Sequence, residues 1–394
     1  MFAARSGCIT RRREEGIGVR AKRPFLVAAA LTAAAVAATP ASATKIAYTS
    51  LGTFSHIMVM NGDGSGRRAL TSGRVADVSP VWTPGGTRLA FIRRRSDRSD
   101  DLFRVNRNGT GLTRLTRTSG SEANPAWSPG GGRLAFEYGG VISSFEIVVM
   151  DADGTNRRAL TTNHVADLEP AWAPGGGRVA FTRFVRDSNS EIFTVRPSGT
   201  GLQRLTFTRA EEHHPDWAST GKIAFIRFGA GANDLVVMNG DGSDARVLWS
   251  ARGIVAATWS PGGKRLAVEY WDGHDAELVS VSADGRTRRR LTRNRVDDSA
   301  PVWSPTGARI AFTHFANGSN DVWTMKADGT GKRRLTASRL PPGDHVAATM
   351  PRALQRTRAS LPSPFMTTRS LAPAPSRRRA AAPRCSGRSR ASSA

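Results

Sequence analysis

The stretch NPAWSPGGGRLAF at residues 124–136, followed after a variable segment by EIVVMDADGTNRRALT at 146–161, decides the fold, because the chain repeats it throughout its length. Pro129-Gly130 is a turn signal that ends a first strand two residues after Trp127. Arg133 to Phe136 reads as a second strand, and Glu146 to Met150, rich in β-branched residues, as a third. Asp153-Gly154 marks a tight turn whose central positions need positive φ, so the third strand and a short outer strand, Arg158 to Thr161, form a hairpin. The tryptophan recurs as Trp82, Trp127, Trp172, Trp217, Trp259 and Trp303, at intervals of 45, 45, 45, 42 and 44 residues. That is the period of a four-stranded blade, not of a helical solenoid or a leucine-rich repeat.

The hairpin glycine returns at Gly64, Gly109, Gly154, Gly199, Gly242, Gly285 and Gly329, so there are seven hairpins for six tryptophans. The first unit, Lys45 to Thr71, starts at its second strand and lacks an inner strand of its own. A ring of blades loses its exposed edges if the end of the chain supplies that strand. Val346-Ala347-Ala348-Thr349-Met350-Pro351 matches Val255-Ala256-Ala257-Thr258-Trp259-Ser260-Pro261, with Met350 in the tryptophan place. The expectation is an all-β, seven-bladed β-propeller of four-stranded antiparallel blades, closed by a C-terminal strand at 345–351. Each tryptophan is expected between neighbouring blades, near Phe91, Phe136, Phe181, Phe225, Val268 and Phe312.

The pattern W-S-P-G-G-x-R-L-A-F, then V-M-D-A-D-G-T and R-R-A-L-T, resembles the WD40-like (PD40) propeller repeat of the TolB family over residues 45 to about 351. TolB proteins carry an α/β domain ahead of the propeller, which nothing in this sequence is expected to form. The resemblance implies an extracytoplasmic propeller that binds other proteins and has no catalysis of its own. In TolB the partner is a peptidoglycan-associated lipoprotein.

Three segments are expected: a signal peptide at 1–43, the propeller at 44–351 and a disordered basic tail at 352–394. Arg20, Lys22 and Arg23 precede an apolar run from Phe25 to Ala38, and Ala41-Ser42-Ala43 offers small residues for cleavage. The run is short for a span of about 20 residues, so the mature protein is expected to be periplasmic or secreted and not integral to the membrane. Cys8 and Cys385 fall in the leader and the tail, leaving the repeats without a disulfide or a thiolate.

The formal charge of +25 divides into +5 for residues 1–43 and +10 for 337–394, leaving +10 for the repeats. The arginine pairs at 67–68, 157–158 and 333–334 and the run at 288–290 follow the repeat just before each outer strand, where charge protects a sheet edge from pairing. Nucleic acid is therefore not the expected partner; a protein or another envelope component is, for a monomeric scaffold.

Five residues before the tryptophan the chain reads Asp77, Glu122, Asp167, Glu212, Ile254 and Asp298. Carboxylates at that level of the inner strand would converge on the mouth of the channel and favour a cation, a basic peptide or a metal. The alternative is that each caps its own turn or pairs with a local arginine such as Arg74 or Arg295. Three residues before the tryptophan come Ser79, Asn124, Glu169, His214, Ala256 and Ala300, varied as a binding surface would be. The candidate binding residues are therefore Asp77, Glu122, Asp167, Glu169, Glu212, His214 and Asp298.

Glu211-Glu212-His213-His214 with Asp216 is the densest set of possible metal ligands, though strand alternation should send the two histidines to opposite faces. No cofactor and no catalytic residue is expected. There is no G-x-S-x-G elbow, phosphate loop or dinucleotide fingerprint. The enzymatic alternative is a metal-dependent polysaccharide lyase or another carbohydrate-active propeller.

Overall fold

In a computed structural model, the described residues are 45–337 apart from 51, 96–98, 140–143 and 186–188. The expected leader at 1–43, the closing strand at 345–351 and the tail at 352–394 lie outside them. Every regular element among the described residues is a β-strand. One sheet has three strands, four have four, and one of eight is two four-stranded units joined by a single parallel bridge, Asp100 opposite Ser121. The three-stranded sheet is the first, Lys45–Ser50, His56–Asn61 and Arg68–Ala69, so the missing inner strand is not among the described residues.

The third unit illustrates how local chemistry sets the strands. Ser121–Trp127 pairs with Arg133–Gly139, which pairs with Phe145–Asp151, which pairs with Arg158–Ala159, all antiparallel. In the hairpin, Gly154 N donates to Asp151 O at 2.9 Å and Asp151 N to Thr155 O at 2.9 Å, while Asp153 Oδ1 accepts the Thr155 amide at 2.9 Å. Of Asp153 and Gly154 only the glycine has positive φ, +94°. The loop is therefore a turn followed by a left-handed glycine, and not the two-residue turn with positive φ at both positions that Asp-Gly suggested. Thr161 closes the unit: its Oγ1 accepts the Ile147 amide at 3.0 Å, as Thr71, Thr116, Thr206, Thr292 and Thr336 do in theirs.

Successive sheets pack face to face through the tryptophans. Trp127 lies in a cluster with Leu134 and Phe136 of its own unit and Val78, Val81, Ala90 and Leu102 of the one before. Trp82, Trp172, Trp217, Trp259 and Trp303 sit in equivalent clusters with Phe91, Phe181, Phe225, Val268 and Phe312. Trp127 Nε1 donates to Val81 O at 3.2 Å, and Trp172 Nε1 to Ala126 O at 2.9 Å, each on the inner strand of the preceding unit.

In most units the hairpin glycine also approaches the leucine that ends the outer strand of the preceding unit, while Gly199 faces Ala159 O. A Cβ on Gly154 would lie 3.0 Å from Leu115 O, and Gly242, Gly285 and Gly329 approach Leu205, Leu248 and Leu291 in the same way. A Cβ on Gly64 of the first unit would lie 3.2 Å from Leu335 Cδ2 of the last. Ile46, Tyr48 and Met60 of the first unit likewise form one buried cluster with Ala311 and Val322 of the last.

Candidate binding face on the inner strands

The inner strands do not run straight. In all six, pairing with the second strand slips by a residue, between Val78 and Val81, Ala123 and Ala126, Leu168 and Ala171, His213 and Asp216, Ile254 and Ala256, and Ser299 and Val302. The residue three before the tryptophan is left-handed in five of them: Ser79 φ 55°, Asn124 46°, Glu169 61°, His214 59° and Ala300 50°. A proline follows every one of them, Pro80, Pro125, Pro170, Pro215 and Pro301. Proline offers no N–H to the ladder and keeps its predecessor out of the right-handed helical region, so the strand bulges. The sixth unit has Ala257 in the proline place and no left-handed residue at Ala256; its slip falls earlier, directly after Ile254.

The acids five before the tryptophan are buried. Asp77, Asp167, Glu212 and Asp298 each face a base directly across the ladder on the second strand: Arg93, Arg183, Arg227 and His314. Arg93 Nε and Nη2 donate to Asp77 at 2.6 and 2.8 Å, and Arg183 to Asp167 at 2.7 and 2.8 Å. Arg227 Nε reaches Glu212 at 2.9 Å, and His314 Nδ1 lies 2.6 Å from Asp298. The guanidinium groups lie over aromatic rings, Arg93 4.7 Å from the Phe103 centroid and Arg183 4.9 Å from that of Phe193. These four acids therefore sit in local pairs. Glu122 differs: Tyr138 stands across from it, and Thr118 Oγ1 donates to its Oε1 at 2.7 Å.

The varied position carries a second network that ties one unit to the next. A left-handed residue turns its amide out of its own ladder, and a carboxylate of the preceding unit accepts it. Glu169 N donates to Glu137 Oε1 at 2.6 Å, His214 N to Glu169 Oε2 at 2.7 Å, and Ala300 N to Glu269 Oε2 at 3.0 Å. Asp216 similarly accepts the Trp259 amide at 2.7 Å. Burial pushes Glu137 up to about 7, against the pull of Asn124 and the Glu169 amide, and pushes Asp216 up to about 6. Burial acts on Glu169 too, but His214 and His213 outweigh it and hold its carboxyl well below the usual range.

His214 Nδ1 lies 2.9 Å from Glu169 Oε1, and His213 Nδ1 3.7 Å from Glu169 Oε2. Both histidines approach one carboxylate because the left-handed residue breaks the alternation that would have separated them. His213 is enclosed by Phe184 and Phe228, and its Nε2 lies 2.9 Å from Ser190 Oγ. Among the described residues, no three His, Cys, Asp or Glu side chains are grouped to hold a metal ion.

Glu137 and Glu269 were not singled out in the sequence. The position after the buried second-strand Phe or Val reads Ile92, Glu137, Thr182, Ile226, Glu269 and Thr313. A glutamate where the other copies carry isoleucine or threonine was the available signal.

Repeated antiparallel four-stranded units, interlocked by a tryptophan at each junction, define a protein of the β-propeller type. The family model for the TolB beta propeller domain matches residues 37–294 and 221–349, and the chain belongs to that family. No curated protein matches the sequence. Among solved structures, TolB from Acinetobacter baumannii is similar at 16% identity and a TM-score of 0.50, over 73% of this chain and 78% of that one. An oligogalacturonate lyase in complex with manganese is similar at 12% identity and a TM-score of 0.61, over 72% of this chain and 86% of that one. A Mycobacterium tuberculosis puromycin-hydrolyzing peptidase is similar at 14% and 0.63, over 78% of this chain and 54% of that one. At such identities the likeness is one of fold. Among the described residues, no helix is long and apolar enough to cross a membrane.

Proposed function

We propose that the chain is an exported, non-enzymatic, monomeric scaffold of the cell envelope that binds a protein partner on the channel face of a seven-bladed ring. The ring is supported by the contact of Gly64 with Leu335, which repeats between the first and last units the contact made at most of the other junctions. In this reading residues 345–351 supply the inner strand of the first unit, and the leader is removed near Ala43.

The observation that carries the binding reading is the left-handed position of the inner strand. Five units present it with the same backbone and different side chains, Ser79, Asn124, Glu169, His214 and Ala300. A folding role alone would favour one residue type there, whereas a surface written for a partner varies. Glu122, Glu169 and His214 are then the contact groups, and Asp77, Asp167, Glu212 and Asp298, with their bases, hold the wall behind them.

Affinity capture from the envelope with the mature protein tests this. Wild type is expected to recover one partner that is reduced about tenfold or more by the joint change Glu122→Gln and His214→Asn. Asparagine tolerates the left-handed backbone at 214. A partner retained equally by both proteins, or none recovered by cross-linking, contradicts the reading.

A further inference from the structure

We infer that the groove between the second and third units is an acceptor for the guanidinium of an arginine side chain from a polypeptide partner, with Glu122 as its anion. This deepens the scaffold reading and rests on it.

The repeat itself states what is missing. Wherever an acid stands five residues before the tryptophan, a base from the second strand faces it, except in the third unit. There Tyr138 occupies the place held by Arg93, Arg183, Arg227 and His314 elsewhere. Arg157 does not substitute as a direct partner; its guanidinium lies 4.4 Å from the Tyr138 ring centroid. Glu122 is 1% exposed; Thr118 satisfies its Oε1, and its Oε2 is buried without a hydrogen-bond partner. A carboxylate oxygen desolvated and left unmatched is costly unless a donor arrives. Burial pushes the Glu122 carboxyl up to about 7, against the pull of Thr118 and the more distant charge of Arg157.

The protein is open at this point. Glu122 lines a shallow groove with Ile92, Arg94, Asp100, Asn124 and Phe145 among its walls. Arg94 on the facing wall does not occupy the vacant oxygen, which has no partner. Ile92 and Phe145 give apolar surface for the stem of a long side chain. Guanidinium fits better than ammonium, because the same acid in the second and fourth units takes a forked arginine against an aromatic ring.

The test titrates the full-length protein with N-acetyl-arginine amide, and with the citrulline analogue as its uncharged isostere, reading thermal stability and heat. Arginine amide is expected to give a saturable response, with citrulline amide weaker by about tenfold or more, as loss of a charge-assisted bond implies. Glu122→Gln, which keeps shape and removes the charge, should weaken the arginine response by a similar factor. Tyr138→Arg should abolish it while leaving the protein folded, because the slot is then filled from within, as in the other units. Equal responses to both amides, an undiminished response in both variants, or no response of the wild type would each overturn the assignment. If the titration fails while partner capture persists, only the arginine slot is lost; if capture fails while the titration succeeds, only the scaffold reading is.

Discussion

Trp127→Ala is expected to lower the free energy of unfolding by about 3–5 kcal/mol, the range for truncating a buried aromatic side chain without collapse of the cavity. Trp127 is 8% exposed and touches residues of two successive units, so its removal opens the junction between them. It also removes the donor to Val81 O, on the inner strand of the preceding sheet. In a repeat architecture, stability is a sum of unit terms and junction terms, and this substitution weakens a junction. Val247→Ala, at a residue 47% exposed, is the matched control and should change stability by less than about 0.5 kcal/mol. Urea unfolding of the two variants reads the difference, and equal midpoints would contradict packing between sheets as the main source of cohesion.

Arg183→Met carries a comparable penalty by a different route. It strips the forked partner from Asp167, whose side chain is fully buried, and leaves it the side-chain amide of Asn163 at 2.7 Å. Removing one member of a buried pair costs about 3–5 kcal/mol, because a charge is left in a poorly polarisable site, whereas removing both is far milder. The double change Arg183→Met with Asp167→Asn should therefore recover at least half of the loss in the same unfolding measurement. A double variant no better than the sum of its parts would mean that Asp167 is not held by Arg183. The result also bears on function, since a carboxylate committed to its own wall is unavailable to a ligand.

Much of the architecture was legible because repetition compares the chain with itself. The tryptophan interval, the Asp-Gly hairpins and the Phe of the second strand needed only the alternation of strand side chains to be placed correctly. The pairing of the acids was legible too, in hindsight: Arg93, Arg183, Arg227 and His314 each follow the buried phenylalanine by two residues. What hid it was the inner-strand bulge, which shifts register between the acid and the tryptophan, so that counting back from Trp172 does not place Asp167 opposite Arg183. The proline after Glu169 announces that bulge. Glu137 and the meeting of His213 and His214 at Glu169 depend on contacts between units, which periodicity within a unit cannot specify.

The ring is tested most directly by the distance between spin labels at positions 63 and 333, after Cys8 and Cys385 are replaced by serine. Asp63, in the first hairpin, and Arg333, on the last outer strand, are both exposed and close enough for Arg333 to lower the Asp63 carboxyl, after the larger pull of Ser65. The internal standard is the pair 108 and 68, the same two positions at the junction of the first and second units, where Arg68 Nη1 donates to Asn108 O at 3.0 Å. A closed ring predicts one narrow, short distribution at 63 and 333 that superimposes on the standard. A long or broad distribution at 63 and 333 beside a short one at 68 and 108 would mean an open array of sheets, and would contradict closure.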